Sequence, residues 1–330
     1  MTIPSPFARR NIYEQQAHNR QMTVFVMIGF ALFLGLLGMG FDFYFSGSVG
    51  EGGFIPLGTV VALAVGTGSA FWSLSNGPSA VLTSAGAVPA DDSNPSHRQL
   101  LNVVDEMAIA SGLPRPAVYV IPDADPNAFA TGKDPQHSSI AVTQGLLDSL
   151  NREELQGVVA HEMSHIRNYD IRLMTVVAAL MGAILLLSDW ARRSLWYGRG
   201  RKRNSKSSGQ LGALLLVLWL IGIILAPIIT RMMAMAVSRK REYLADASGA
   251  EMTRNPLGLA SALKKIDTAV EPTASIKRGA AHLCIADPLG RSVNSREGFV
   301  AELFGTHPPI EKRITALQAM AYQSAPTPAA

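Results

Sequence analysis

Four apolar runs, at residues 22–41, 54–74, 173–190 and 211–233, constrain this chain more than any other feature. A bilayer crossing needs ~20 apolar residues. In lipid a backbone can satisfy its own polar groups only as a helix or a closed barrel. The first, second and fourth runs are long enough to cross; the third is marginal. Only 16% of the 330 residues are charged and 48% are hydrophobic, whereas soluble domains carry about 25% charged residues. The first run is too long for a cleaved signal, and no small-residue cleavage site follows it. Arg9, Arg10 and Arg20 precede it, and the short loop after it holds Asp42 and Glu51 without Lys or Arg. The positive-inside rule therefore puts the N-terminus in the cytoplasm. Two crossings later, residues 77–170 are cytoplasmic as well. The loop between the third and fourth runs is strongly basic, from Arg192 to Lys206, which argues against placing it outside. We expect a spanning or deeply inserted hairpin, which returns the chain to the same face either way.

The net charge is +4, and the basic residues adjoin apolar segments. That pattern fits lipid headgroups rather than nucleic acid. The single cysteine, Cys284, excludes an internal disulfide and reads as a small buried apolar residue.

Between the second and third runs the sequence has the rhythm of a folded domain. Residues 84–94 read as a linker, and 95–111 carry a helical stripe with Gly112 suited to end it. Residues 117–121, 128–131 and 139–143 read as short strands. Asn151 and Glu154 form a capping box. It opens a helix expected to run on into the third apolar segment. Residues 257–268 read as an amphipathic helix, and 271–300 as irregular. The expected organisation is a cytoplasmic arm (1–21), two membrane helices (22–76) and the first soluble part (77–170). A hydrophobic hairpin follows (171–237, basic loop 192–210), then a second soluble part (238–325) and a disordered tail (326–330).

The helix opened at Asn151 carries His161-Glu162-Met163-Ser164-His165. Residues i and i+4 share a helix face, so the two imidazoles converge. They supply two of the three protein ligands of a catalytic zinc site. The best third ligand is Glu242, just beyond the fourth apolar run. Asp246, one turn further on, can accept the spare N–H of a ligating histidine and fix its tautomer. Glu162 is the candidate general base, acting on zinc-bound water.

These segments, with Ser238-Arg239-Lys240-Arg241-Glu242-Tyr243-Leu244-Ala245-Asp246, resemble the HtpX family of membrane zinc endopeptidases, relatives of the CAAX prenyl proteases in the gluzincin group. The likeness extends to residues 126–132, 140–147 and 306–314 and covers about residues 20–320. It implies a mainly α membrane protein: four hydrophobic helices plus a gluzincin-like α+β zinc protease domain with a small β-sheet. It also implies His161, His165 and Glu242 as ligands of one Zn2+ per chain, with Glu162 as base. The implied activity is cleavage of misfolded or damaged membrane proteins at a bacterial inner membrane during stress, by a multi-pass protein whose site faces the cytoplasm.

Two further sites follow. Asn127, Ala128, Phe129 and Ala130 form a candidate edge strand for an extended substrate. His307, in a rigid Thr-His-Pro-Pro turn, is a candidate oxyanion stabiliser. Expected partners are membrane-protein or unfolded polypeptide substrates, the bilayer, and a second copy or other membrane quality-control proteases. The rival readings are a prenyl-peptide protease, which needs a larger lipid chamber, and a catalytically silent, metal-stabilised membrane scaffold, which would need no base at Glu162.

Overall fold

The computed structural model describes residues 12–46, 56–182, 241–269, 273, 275–276, 281–286 and 308–324. Helices α1 (Ile12–Ser46) and α2 (Leu57–Ser84) are long and apolar enough to cross a membrane, over Gln16–Gly40 and Leu57–Ser84. They keep large apolar side chains exposed, among them Phe25 and Leu36 on α1 and Phe71 on α2. A soluble monomer would have to bury such a surface. The end of α1 is fastened to the start of α2 by Asp42, whose carboxylate accepts from the Gly58 N–H at 2.7 Å and the Thr59 N–H at 2.6 Å. These are N–H groups at the start of α2 that have no partner within the helix. Four membrane helices were expected; among the described residues two qualify. The fourth run and the end of the third lie outside the described residues.

Helix α2 runs ten residues past the second apolar run. Its last turns are no longer membrane-like surface. Gly77 lies close to Thr175, and Val81 and Leu82 are buried against Ile121, Phe129 and Met174. The expected linker after it contains a short strand, β1 (Val88–Pro89), which pairs with β2 (Ala117–Ile121). Helix α3 (Pro95–Ser111) has the predicted limits. Asn94 caps its start through Ser96 N–H, and Gly112 ends it at φ +68°, a conformation that costs glycine nothing.

Strands β3 (Ala128–Asp134) and β4 (His137–Thr143) complete a mixed sheet of order β1-β2-β4-β3. β2 and β4 are parallel, while β3 and β4 are antiparallel. A short helix, α4 (Gln144–Ser149), leads into α5 (Arg152–Arg167). Every residue of α5 from Leu155 to Ile166 except Gln156 is buried. The core around it joins α3, the sheet, α8 (Pro256–Thr268) and α9 (Ile310–Ser324).

The expected continuation of α5 into the third apolar segment does not occur. The helix stops at Asn168, Tyr169 takes φ +59°, and a new helix, α6, begins at 170 and is described to 182. The break has a physical consequence. It folds Asp170 back against His165, which a straight helix would have turned away. Helix α7 (241–253) lies flush on α5 because Gly249 meets the backbone of Ala160 and His161. A Cβ there would stand 3.1 Å from the His161 nitrogen.

The capping box is present, and it is tied to α8 as well. Glu154 accepts from the Asn151 N–H at 2.8 Å, from Lys265 Nζ at 2.7 Å and from Ser261 Oγ at 2.7 Å. Burial pushes its carboxyl pKa up, but Lys265, Ser261 and Asn151 outweigh that and hold it below 4.5. A depressed pKa stabilises the fold above 4.5 and loses that contribution as pH falls through the folded-state value. Glu154→Ala should therefore cost about 1–3 kcal/mol at neutral pH, and the deficit should shrink in acid. Denaturation at pH 7 and pH 4 measures both; a deficit that does not change with pH would count against the ionic part.

Candidate metal centre

Helix α5 presents His161, Glu162 and His165 to the interior, with side chains at most a few per cent exposed. Helix α7 brings Glu242 and Asp246 against them, equally buried. His161 Nε2 and His165 Nε2 stand 3.2 Å apart. The Glu242 carboxylate oxygens lie 3.7 Å from the first and 3.6 Å from the second. One ligand atom from each of the three residues falls within 4.8 Å of the others. Ligands around a tetrahedral zinc at 2.0–2.1 Å would be roughly 3.3–3.4 Å apart, so the spacing fits with little adjustment.

The far side of each imidazole is also engaged. Asp246 Oδ1 lies 3.0 Å from His161 Nδ1, at a bent angle, and Asp170 Oδ2 lies 3.0 Å from His165 Nδ1. A carboxylate at Nδ1 keeps the proton there and leaves the Nε2 lone pair free. Two such lone pairs facing at 3.2 Å need a cation or a shared proton between them. The charge balance points the same way. Four buried carboxylates, Glu162, Asp170, Glu242 and Asp246, face two buried guanidiniums, Arg241 and Arg313. A divalent cation that displaces the proton from His165 would offset much of that deficit.

Burial drives the His161 pKa down despite Asp246. Burial acts the same way on His165, but Asp170, Glu242 and Glu162 outweigh it and push the value up to about 9. Burial raises Glu162 to about 7, with Glu242 adding to the rise and His165 opposing it. Neither Glu162 oxygen has a side-chain hydrogen-bond donor, and the Ala130 N–H opposes the rise. A buried carboxylate without a side-chain donor is costly, and it fits a group meant to take a proton.

Three residues escaped the sequence reading. Arg313 on α9 is completely buried and donates to both Asp246 oxygens, at 2.8 and 2.7 Å. Its Nη1 also reaches Glu242 Oε2 at 3.3 Å and the Ile285 carbonyl at 3.0 Å. Burial disfavours its charge, but Asp246 and Glu242 more than restore it, so its pKa is raised. The others are Asp170, described above, and Arg241, whose Nη1 lies 3.7 Å from Asp170 Oδ1. The signal for Arg313 was its place in the Pro308-Pro309-Ile310-Glu311-Lys312-Arg313 segment.

The candidate edge strand needs correction. Asn127 to Ala130 precede and begin β3, an edge in strand order, but they are not an open edge. The Ile285 N–H donates to the Ala128 carbonyl at 2.9 Å, Phe129 bridges to Cys284, and Asn127 Nδ2 donates to the Ala286 carbonyl at 3.1 Å. Residues 284–286 return from far along the chain, which local pattern could not reveal. Cys284 is buried, as expected. His307 lies outside the described residues.

The model for peptidase family M48 matches residues 95–321. A protease HtpX homolog of Caldanaerobacter subterraneus subsp. tengcongensis is 46% identical over 94% of this chain and 99% of its own. The homolog of Ligilactobacillus salivarius is 42% identical over 94% of this chain and all of its own. The crystal structure of S. mikatae Ste24p is 18% identical, covers 93% of this chain and 66% of its own, and superposes with a TM-score of 0.49. With its family model spanning the whole histidine–carboxylate cluster and relatives matching end to end, the chain belongs to peptidase family M48, among the HtpX-type metalloproteases.

Proposed function

We propose that this chain is a membrane-integrated zinc endopeptidase that cleaves misfolded or damaged membrane proteins as part of a stress response. It would be a multi-pass protein of a bacterial inner membrane with its site at the cytoplasmic face. The observation that carries this reading is the convergence of His161, His165 and Glu242 beside a buried Glu162 that has no side-chain donor. The exposed apolar flanks of α1 and α2 support the membrane setting.

His161, His165 and Glu242 would hold the zinc, with Asp246 and Asp170 fixing the two imidazoles. When bound, the zinc supplies Lewis acidity, which acidifies water and polarises a carbonyl. Glu162 takes a proton at its carboxylate from the attacking water and returns it to the departing amine nitrogen. Burial and the neighbouring Glu242 charge both raise the proton affinity of Glu162, which suits a group that must take up a proton. Arg313 already donates to a peptide carbonyl, that of Ile285, beside the ligands. A substrate carbonyl in that place would be held in the same way. An extended substrate pairing with Ala128 would have to take the position that Ile285 holds. That requirement favours loose, partly unfolded polypeptides.

The test is metal content together with cleavage of an unfolded membrane-protein substrate by the full chain in detergent. Wild type should hold about one zinc per chain, and Glu242→Ala should lose it along with activity. Full metal occupancy in Glu242→Ala would overturn the ligand assignment. Zinc bound to a wild type that cleaves nothing would favour the scaffold.

A further inference from the structure

Helix α1 reaches the metal centre through one side chain. Asn19 is 1% exposed. Its Nδ2 donates to Asp170 Oδ1 at 2.6 Å and to the Asn168 carbonyl at 2.8 Å. The other Asp170 oxygen is the one at His165 Nδ1. An amide from the membrane anchor, a carboxylate and an imidazole thus form one continuous line to the candidate metal. The contact is not isolated. Gln16 Nε2 donates to the Arg167 carbonyl at 2.9 Å, and the Arg20 guanidinium sits 4.7 Å from the centre of the Tyr169 ring. Residues 16, 19 and 20 share one helix face, and that face grips the turn at 167–170. The turn needs holding, because Tyr169 sits at φ +59°, where a bulky residue is strained.

We infer that Asn19 is a positioning residue for the metal centre, fixing Asp170 and through it the orientation and tautomer of His165. This rests on the metal reading above and extends it to the membrane helix. Residue chemistry supports the assignment. An Asn amide has two N–H groups, and here one goes to each acceptor. An apolar residue would leave both acceptors buried without this donor. An aspartate of the same shape would set two carboxylates against each other. Arg241, at 3.7 Å from Asp170 Oδ1, supplies charge without a close hydrogen bond. The inference makes α1 part of the catalytic apparatus, so the site would be fully formed only with its membrane anchor attached.

The experiment uses the full chain in detergent, stripped of metal and titrated with Zn2+ against a chromophoric chelator. The visible spectrum of the Co2+-loaded protein is recorded alongside. Asn19→Ala should bind zinc about tenfold more weakly and shift the Co2+ bands. Asn19→Asp, isosteric and therefore safe for packing, should lose at least as much. Because Asn19 acts through Asp170, the Asn19→Ala, Asp170→Ala double variant should bind no more weakly than Asp170→Ala alone. Wild-type affinity and spectrum in both Asn19 variants, or losses that multiply in the double variant, would overturn the inference. His161→Ala serves as the control. If it keeps full affinity, the metal reading itself has failed rather than the role of Asn19.

Discussion

Glu162→Gln should lower the turnover of an unfolded membrane-protein substrate by about 10²–10⁴-fold while leaving metal content unchanged. Glutamine keeps the shape of the side chain and removes its ability to hold a proton. The position is buried and stands outside the group formed by His161, His165 and Glu242, so loss of the charge should not release metal. The carboxylate oxygens have no strong donors to lose. The variant should therefore fold, load and fail to cleave. Single-turnover assays on protein of verified zinc content separate this from a binding defect, since KM should move far less than kcat. Equal cleavage by the variant and wild type would remove Glu162 from the mechanism. Proportional loss of zinc and activity would make it a ligand-supporting residue instead.

The parts of this site that depend on local rules were legible in the sequence. Helical spacing put His161 and His165 on one face, the Asn151–Glu154 pair announced the start of α5, and Gly112 marked the end of α3. Glu242 could be reached because the intervening segment was apolar enough to return the chain to its starting face. What failed to show was set by distant contacts. The break at Asn168–Tyr169 carries no proline or glycine, and it is gripped by Gln16, Asn19 and Arg20 from about 150 residues away. The cover over β3 is a strand-like return of residues 284–286 from a stretch that reads as irregular. Nothing in the local pattern around Arg313 marked it for burial. The packing of α9 against α7 and α8 turns it inward, where two carboxylates justify burying a cation.

Arg313 carries the largest stability effect expected of any single side chain here. Arg313→Ala would take from buried Asp246 its two-bond cationic partner and from Glu242 one neighbouring cation. Breaking such a buried pair from one side costs about 3–5 kcal/mol, and the truncated side chain leaves space as well. Metal affinity should fall together with stability, about 10- to 100-fold, because Asp246 would no longer hold His161. Arg313→Lys should recover only part of either property. One ammonium cannot reproduce two parallel bonds to Asp246 together with the contact to Glu242 and the bond to the Ile285 carbonyl. The informative variant is the double replacement Arg313→Met, Asp246→Leu. Removing both charges together can be nearly neutral for the fold, so chemical denaturation of the metal-free chain should show stability returning toward wild type. Metal affinity should stay low, since His161 would still lack its carboxylate. If Arg313→Ala unfolds within 1 kcal/mol of wild type, or if the double replacement restores metal binding along with stability, then Arg313 and Asp246 do not act on the site as an ion pair.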